Sequence, residues 1–121
     1  MIAICTPSRD VVQATFTYDL VQLIKHSPDT LFAVALGSYI PNNRISLVNQ
    51  ALKAECTHIL FIDSDMRFPP DSLERLLKHD KDIVGANCKQ RTQDEWTARK
   101  GDKFVSSRNK KGIEEVDTLG F

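Results

Sequence analysis

What this chain lacks narrows it first. Its three cysteines, Cys5, Cys56 and Cys88, are odd in number, far apart and without any Cys-x-x-Cys spacing. That argues against a disulfide framework or a cysteine-built zinc site and for free thiols in a reducing compartment. His26, His58 and His79 are equally scattered and read as helix-end or edge-of-core histidines. No apolar stretch approaches the roughly 20 residues that span a bilayer. The start, Met1-Ile2-Ala3-Ile4-Cys5, has no basic leader and reads as a first strand rather than a signal peptide, so a cytoplasmic location is expected. An excess of charge is missing too. Sixteen basic residues balance sixteen acidic ones, so nothing global points to nucleic acid or an anionic membrane as a partner. There are no repeats and no low-complexity linker.

What is present is a chain of 121 residues, 41% hydrophobic, long enough for one domain with its own core. Residues 2–5 predict a short strand ended by Pro7. A helix follows, capped by Asp10 or Ser8, with Val12, Phe16, Leu20, Leu23 and Ile24 at helical spacing. Residues 31–36 are apolar throughout, as in a strand covered on both faces. Ile45, Val48 and Leu52 mark a second helix. The apolar run His58-Ile59-Leu60-Phe61-Ile62 is a third strand, and Pro69-Pro70-Asp71 opens a third helix with Asp71 and Glu74 in capping-box spacing. Residues 83–86 predict a fourth strand. This alternation predicts an α/β domain, a three-layer α/β/α arrangement around a mainly parallel sheet. The expected organisation is one domain over 1–121, with a binding half over 1–92 and a polar loop and terminal strand over 93–121. Residues 89–111 carry eight basic residues against three acids; lacking interleaved aromatics, they read as a solvated loop able to close over a ligand. The apolar end, Leu119-Gly120-Phe121, leads us to expect further sequence or a covering partner such as a second copy.

The segment with most chemistry is Asp63-Ser64-Asp65. Two carboxylates one residue apart, at the end of a buried strand, are costly unless a cation or proton holds them. A hard divalent ion gripped by carboxylates plus phosphate oxygens resolves the cost. In open α/β sheets ligands bind beyond the carboxyl ends of the strands. Four segments are predicted there: Thr6-Pro7-Ser8-Arg9-Asp10, Gly37-Ser38-Tyr39, Asp63-Ser64-Asp65 and Asn87-Cys88-Lys89-Gln90-Arg91. Hydroxyls, amides, basic side chains and a carboxylate pair on one rim suit a metal-held diphosphate.

The order strand, Thr-Pro-Ser-Arg, helix, strand, loop with Arg44, helix, His-Ile-Leu-Phe-Ile-Asp-Ser-Asp, Phe-Pro-Pro-Asp, helix, Asp-Ile-Val-Gly-Ala resembles the GT-A glycosyltransferases of the family 2-like kind. The likeness covers roughly residues 2–92 and is strongest over 58–86. It implies a GT-A fold in which the Asp-x-Asp motif binds Mn²⁺ or Mg²⁺, bridging the diphosphate of a UDP- or GDP-linked sugar donor. By that likeness Asp63 and Asp65 are the metal residues. Asp65 is the more direct ligand, Asp63 lies nearer the ribose or sugar, and Ser64 sits between. Thr6, Pro7, Ser8 and Arg9 match the loop that cradles the nucleotide base. Arg44 matches an arginine at the start of the second helix in many relatives. Gly37-Ser38-Tyr39 stands where relatives usually carry a base-reading aspartate. Relatives hold the acceptor side and general base beyond the point where this chain stops; Asp94 and Glu95 are candidate bases.

Two other readings of the same residues stand beside this one. An aspartyl-nucleophile phosphohydrolase would use Asp63 to attack phosphorus and Asp65 as acid–base, although Met66-Arg67 stand where that family favours a hydroxyl residue. A non-catalytic nucleotide-binding module is the other.

Overall fold

The computed structural model describes residues 1–89, 95–106 and 112–117. The chain divides into two compact units, Met1–Arg75 and Leu76–Phe121.

In the first unit the apolar start becomes β1 (Ile2–Ser8), buried along nearly its whole length. Parallel strands β2 (Thr30–Leu36) and β3 (His58–Phe61) flank it, giving the order β2-β1-β3. Side chains alternate across this central strand. Ile4 meets Phe16, Leu20 and Leu23 of helix α1 (Ala14–His26), with Leu73 of α3 (Ser72–Leu77) in the same cluster. Ala3 and Cys5, on the opposite face, meet Leu47 and Ala51 of α2 (Ile40–Lys53). Helices α1 and α3 therefore lie on one face and α2 on the other, and the result is a compact α/β fold built on a small parallel sheet.

Several expectations need correction. β1 does not end at Pro7; Thr6, Pro7 and Ser8 are its last residues. Along β1 the even residues bond to the β2 side, as in Gly37 N–H to Ser8 O and Ile2 N–H to Asp29 O, and the odd residues to β3, as in Ile62 N–H to Cys5 O. Pro7 falls on the β3 side, just beyond the last paired residues Cys5 and Phe61. Its missing N–H therefore costs no ladder bond already in place.

β2 is not covered on both faces. It is an edge strand, and Phe32, Val34 and Leu36 are 37%, 41% and 63% exposed because α1 lies over β1 rather than over them. In α2 the buried stripe is Asn43, Leu47 and Ala51, whereas Ile45 and Leu52 are exposed. The sheet face beneath is mostly small residues, Ala3, Cys5, Ala33 and Ala35, with Ile59 beside them, which a narrow stripe suits. Neither Ser8 nor Asp10 caps α1. The helix begins at Gln13 with no side-chain cap, and the Gln13 N–H instead donates to the Ser64 carbonyl at 3.2 Å. Glu74 pairs with His26 at the end of α1, at 3.1 Å.

In the second unit, residues 83–86 form no strand, and Ile83 is 85% exposed. A hairpin, β4 (Arg99–Lys100) with β5 (Lys103–Phe104), occupies part of the stretch read as loop. Asn87 organises this unit: it donates to the Val105 carbonyl at 2.6 Å and accepts from the Ala98 N–H at 2.9 Å. The cations of Lys89 and Arg99 lie over the rings of Trp96 and Phe104, at 5.7 and 4.8 Å, so the basic stretch does carry interleaved aromatics. The terminal strand expected after residue 113 is absent over 113–117, and the rest of it lies outside the described residues. Among the described residues no helix is long and apolar enough to cross a membrane.

Leu47 is fully buried against small neighbours that cannot spread to fill a gap. Leu47→Ala is expected to cost about 2–5 kcal/mol in urea-unfolding measurements. A loss below about 1 kcal/mol would show that this stripe does not hold α2 to the sheet.

Candidate functional site

The strand order sets the place of the site. β1 leads through α1 to β2 on one side, and β2 leads through α2 to β3 on the other. The two crossovers part between β1 and β3, and at such a point open α/β sheets bind their ligands, beyond the carboxyl ends of the strands. Three of the four predicted rim segments lie at strand ends of this unit. Of the fourth, Asn87, Cys88 and Lys89 belong to the second unit, and Gln90 and Arg91 lie outside the described residues.

On the β1 side, the predicted nucleotide-loop residues are mostly committed inside the strand. Thr6 is fully buried, and among the described residues its Oγ1 has no hydrogen-bond partner. Pro7 is buried. Ser8 is 2% exposed; its hydroxyl donates to the Val11 carbonyl at 2.7 Å. Arg9 is exposed, and its carbonyl accepts from the Gly37 N–H at 3.2 Å.

Asn43, which the sequence did not single out, ties this rim together. Its Nδ2 donates to the Ser8 carbonyl at 3.1 Å and to the Gly37 carbonyl at 3.0 Å. A Cβ at Gly37 would stand 3.0 Å from the Asn43 Oδ1, on a backbone with φ of +153°, so glycine lets the amide come this close. The available signal was an asparagine four residues before Leu47, on the buried face of α2.

On the β3 side, Asp63 starts a turn in which the Met66 N–H donates to the Asp63 carbonyl at 3.1 Å. The relation of Asp63 to Asp65 is thus set by a turn, not by the alternation of an extended strand. Arg44 of α2 donates to Asp63 Oδ1 at 3.1 Å, and its guanidinium lies 5.0 Å from the Phe61 ring centroid. Asp63 is exposed, while Ser64 and Asp65 are half-buried. The structure therefore joins Arg44 to Asp63 directly and brings Ser64 to the start of α1. Of the candidate bases, Asp94 lies outside the described residues, and Glu95 is exposed in the second unit. Among the described residues no cluster of three His, Cys, Asp or Glu could hold a metal ion.

Beyond the turn, Arg67 reaches back to Asp19 of α1, with Nε to Oδ2 at 2.6 Å and Nη2 to Oδ1 at 3.2 Å. The Phe68 N–H donates to the same Oδ2 at 3.2 Å. Asp19 is 8% exposed. The hydrogen bonds from Arg67, helped by that from Phe68, hold its carboxyl below the usual carboxylate range against the opposing effect of burial. Sequence reasoning missed this pair; the signal was a carboxylate at a helical position shared with Phe16, Leu20 and Leu23.

Because the folded chain lowers the titration point of Asp19, its contribution to stability is complete above the unfolded value near about pH 4 and is lost as pH falls through the folded value. The urea midpoints of wild type and Asp19→Asn are expected to differ most near about pH 7 and to converge toward about pH 2. A gap independent of pH would refute the ion pair. Asn43→Ala is expected to cost about 1–3 kcal/mol and to speed amide exchange at Gly37, with unchanged exchange counting against the bridge.

The sequence pattern of the Anp1 family matches residues 38–119, more than half of the chain. The match takes in Arg44 and the Asp63-Ser64-Asp65 turn and leaves β1 outside it. No curated protein and no solved structure matches the chain. With Arg44 and the carboxylate turn inside the matched region, the chain belongs to Anp1, a family of mannosyltransferase-related proteins.

Proposed function

We propose that the chain carries the donor-binding half of a metal-dependent glycosyltransferase, and that the Asp63-Ser64-Asp65 turn holds a divalent ion against the diphosphate of a UDP- or GDP-linked sugar. The observation that carries this reading is the turn itself, at the carboxyl end of β3 where the crossovers part, with Arg44 bonded to Asp63. Membership of a family of mannosyltransferase-related proteins supports transfer chemistry over an aspartyl phosphohydrolase.

The donor set fits Mg²⁺ or Mn²⁺. Both ions take hard oxygen ligands, and one or two carboxylates leave positions for phosphate oxygens and water. Asp65 is the primary ligand in this reading, and Asp63 is the second. When bound, the ion would supply positive charge to a leaving nucleoside diphosphate. The chain's own part is to fix the two carboxylates on a short turn and to keep a guanidinium within reach of the same charge. Arg44 is anchored for that role by the Phe61 ring, which limits its rotamers without consuming its remaining N–H donors. Arg9, exposed on the β1 side, is the second candidate for phosphate. Thr6, Pro7, Ser8 and Ser64 shape the nucleotide side through backbone and burial. Thr6 Oγ1, fully buried, is without a hydrogen-bond partner among the described residues.

Calorimetry of the chain with UDP and with GDP, each with and without Mn²⁺, checks the reading. Binding is expected to require the metal and to disappear in Asp65→Ala, while Arg44→Ala weakens it with little change in stability, since exposed ion pairs contribute at most about 1 kcal/mol. Absence of binding to either nucleotide would sink the proposal, and nucleotide binding indifferent to metal and to Asp65 would favour a non-catalytic module.

A further inference from the structure

Helix α1 presents one stripe of residues to the segment that follows β3. Gln13, Phe16 and Asp19 are spaced three apart and so share a helix face. Each holds a part of residues 64–68. The Gln13 N–H bonds the Ser64 carbonyl at 3.2 Å. The Phe16 ring meets the Phe68 ring edge-on, with centroids 5.9 Å apart and an interplanar angle of 73°. Asp19 takes the Arg67 guanidinium at two points and the Phe68 N–H at a third. The Asp63 turn is therefore fixed before by the β3 ladder, through Ile62 N–H to Cys5 O at 3.0 Å, and after by Asp19.

A carboxylate among core residues of a helix is an expensive way to gain stability, because an apolar side chain of like volume usually does as well. What the carboxylate adds is direction. Two charge-assisted bonds in a fork, plus one to a backbone amide, fix both position and angle of the chain they grip. That grip falls two and three residues beyond Asp65.

We infer that Asp19 is a positioning residue for the Asp63-Ser64-Asp65 turn: by holding Arg67 and the Phe68 N–H, it sets the angle at which Asp65 is presented and thereby the affinity of the site for a divalent ion with a nucleoside diphosphate. The affinity clause rests on the proposed reading of the carboxylate pair, whereas the geometric clause does not. Asp19 acts only through the chain it grips.

Four forms of the full chain decide it: wild type, Asp19→Asn, Arg67→Lys and, as a control for general destabilisation, Leu23→Ala. Two quantities are measured, amide exchange at Met66, whose N–H closes the turn, and calorimetric affinity for Mn²⁺ with UDP or GDP. Asp19→Asn and Arg67→Lys are expected to speed Met66 exchange about tenfold or more and to weaken affinity about 10- to 100-fold, the range seen when outer-shell partners of metal ligands are changed. Leu23→Ala is expected to lower the melting temperature at least as much while leaving Met66 exchange and affinity near wild type. Arg67→Lys keeps the charge and loses the fork, so it carries the test if Asp19→Asn fails to fold. Met66 exchange equal to that of Leu23→Ala overturns the positioning role, and faster exchange with unchanged affinity overturns its link to the site. If wild type binds neither nucleotide with Mn²⁺, the functional reading has failed, and Met66 exchange alone decides whether Asp19 positions the turn.

Discussion

The ladder between β1 and β3 stops where Pro7 stands, and the rest of the site depends on that stop. In a parallel pair, Ile62 would bond the residues of β1 on either side of its partner position. It donates to the Cys5 carbonyl, but its own carbonyl would need an N–H from position 7, which proline does not have. The third strand can follow β1 no further. Asp63 therefore leaves the sheet at the point where the crossovers diverge, while β2 stays paired as far as Ser8 and Leu36. The two flanking strands end at different heights along β1, and the carboxylate turn lies beside the shorter one.

Around that turn three elements contribute different kinds of constraint. α2 supplies Arg44 and Asn43, one reaching the Asp63 carboxylate and the other closing the ends of β1 and β2. α1 supplies a hydrogen-bond donor, a ring and a carboxylate to the chain leaving the turn. β1 supplies burial. Polar groups this closely surrounded are tolerated because nearly every one is paired, with Thr6 Oγ1 as the exception among the described residues.

Much of the first unit was legible in the sequence because its local preferences and its tertiary structure agree. The strand at residues 58–61, the helices on either side of it and the buried positions Phe16, Leu20 and Leu23 follow directly from apolar spacing. Legibility failed where a partner far along the chain decided the outcome. Whether the apolar residues of β2 are covered depends on where α1 settles, which periodicity does not specify. Which stripe of α2 is buried depends on the small residues of the sheet beneath it. Asp19 and Arg67 are 48 positions apart, and nothing local links an acid in one helix to an arginine after a distant strand. The two acids stand out in the sequence because they follow an apolar run, although that strand is only half-buried in the fold. Their geometry was not legible, since a turn rather than an extended segment separates them. In the second unit, residues 83–86 had the composition of a strand but form none, whereas the hairpin lay within a polar stretch whose rings pack under basic side chains.

The open flank of β2 has a colloidal consequence. Phe32, Val34 and Leu36 form a half-solvated apolar row on a strand that, among the described residues, ends its sheet, which unites exposed hydrophobic side chains with a backbone edge that no described strand pairs. A formal charge of zero at neutral pH offers no long-range repulsion to keep such edges apart. A row of this kind, on an edge without charge, favours self-association in concentrated samples.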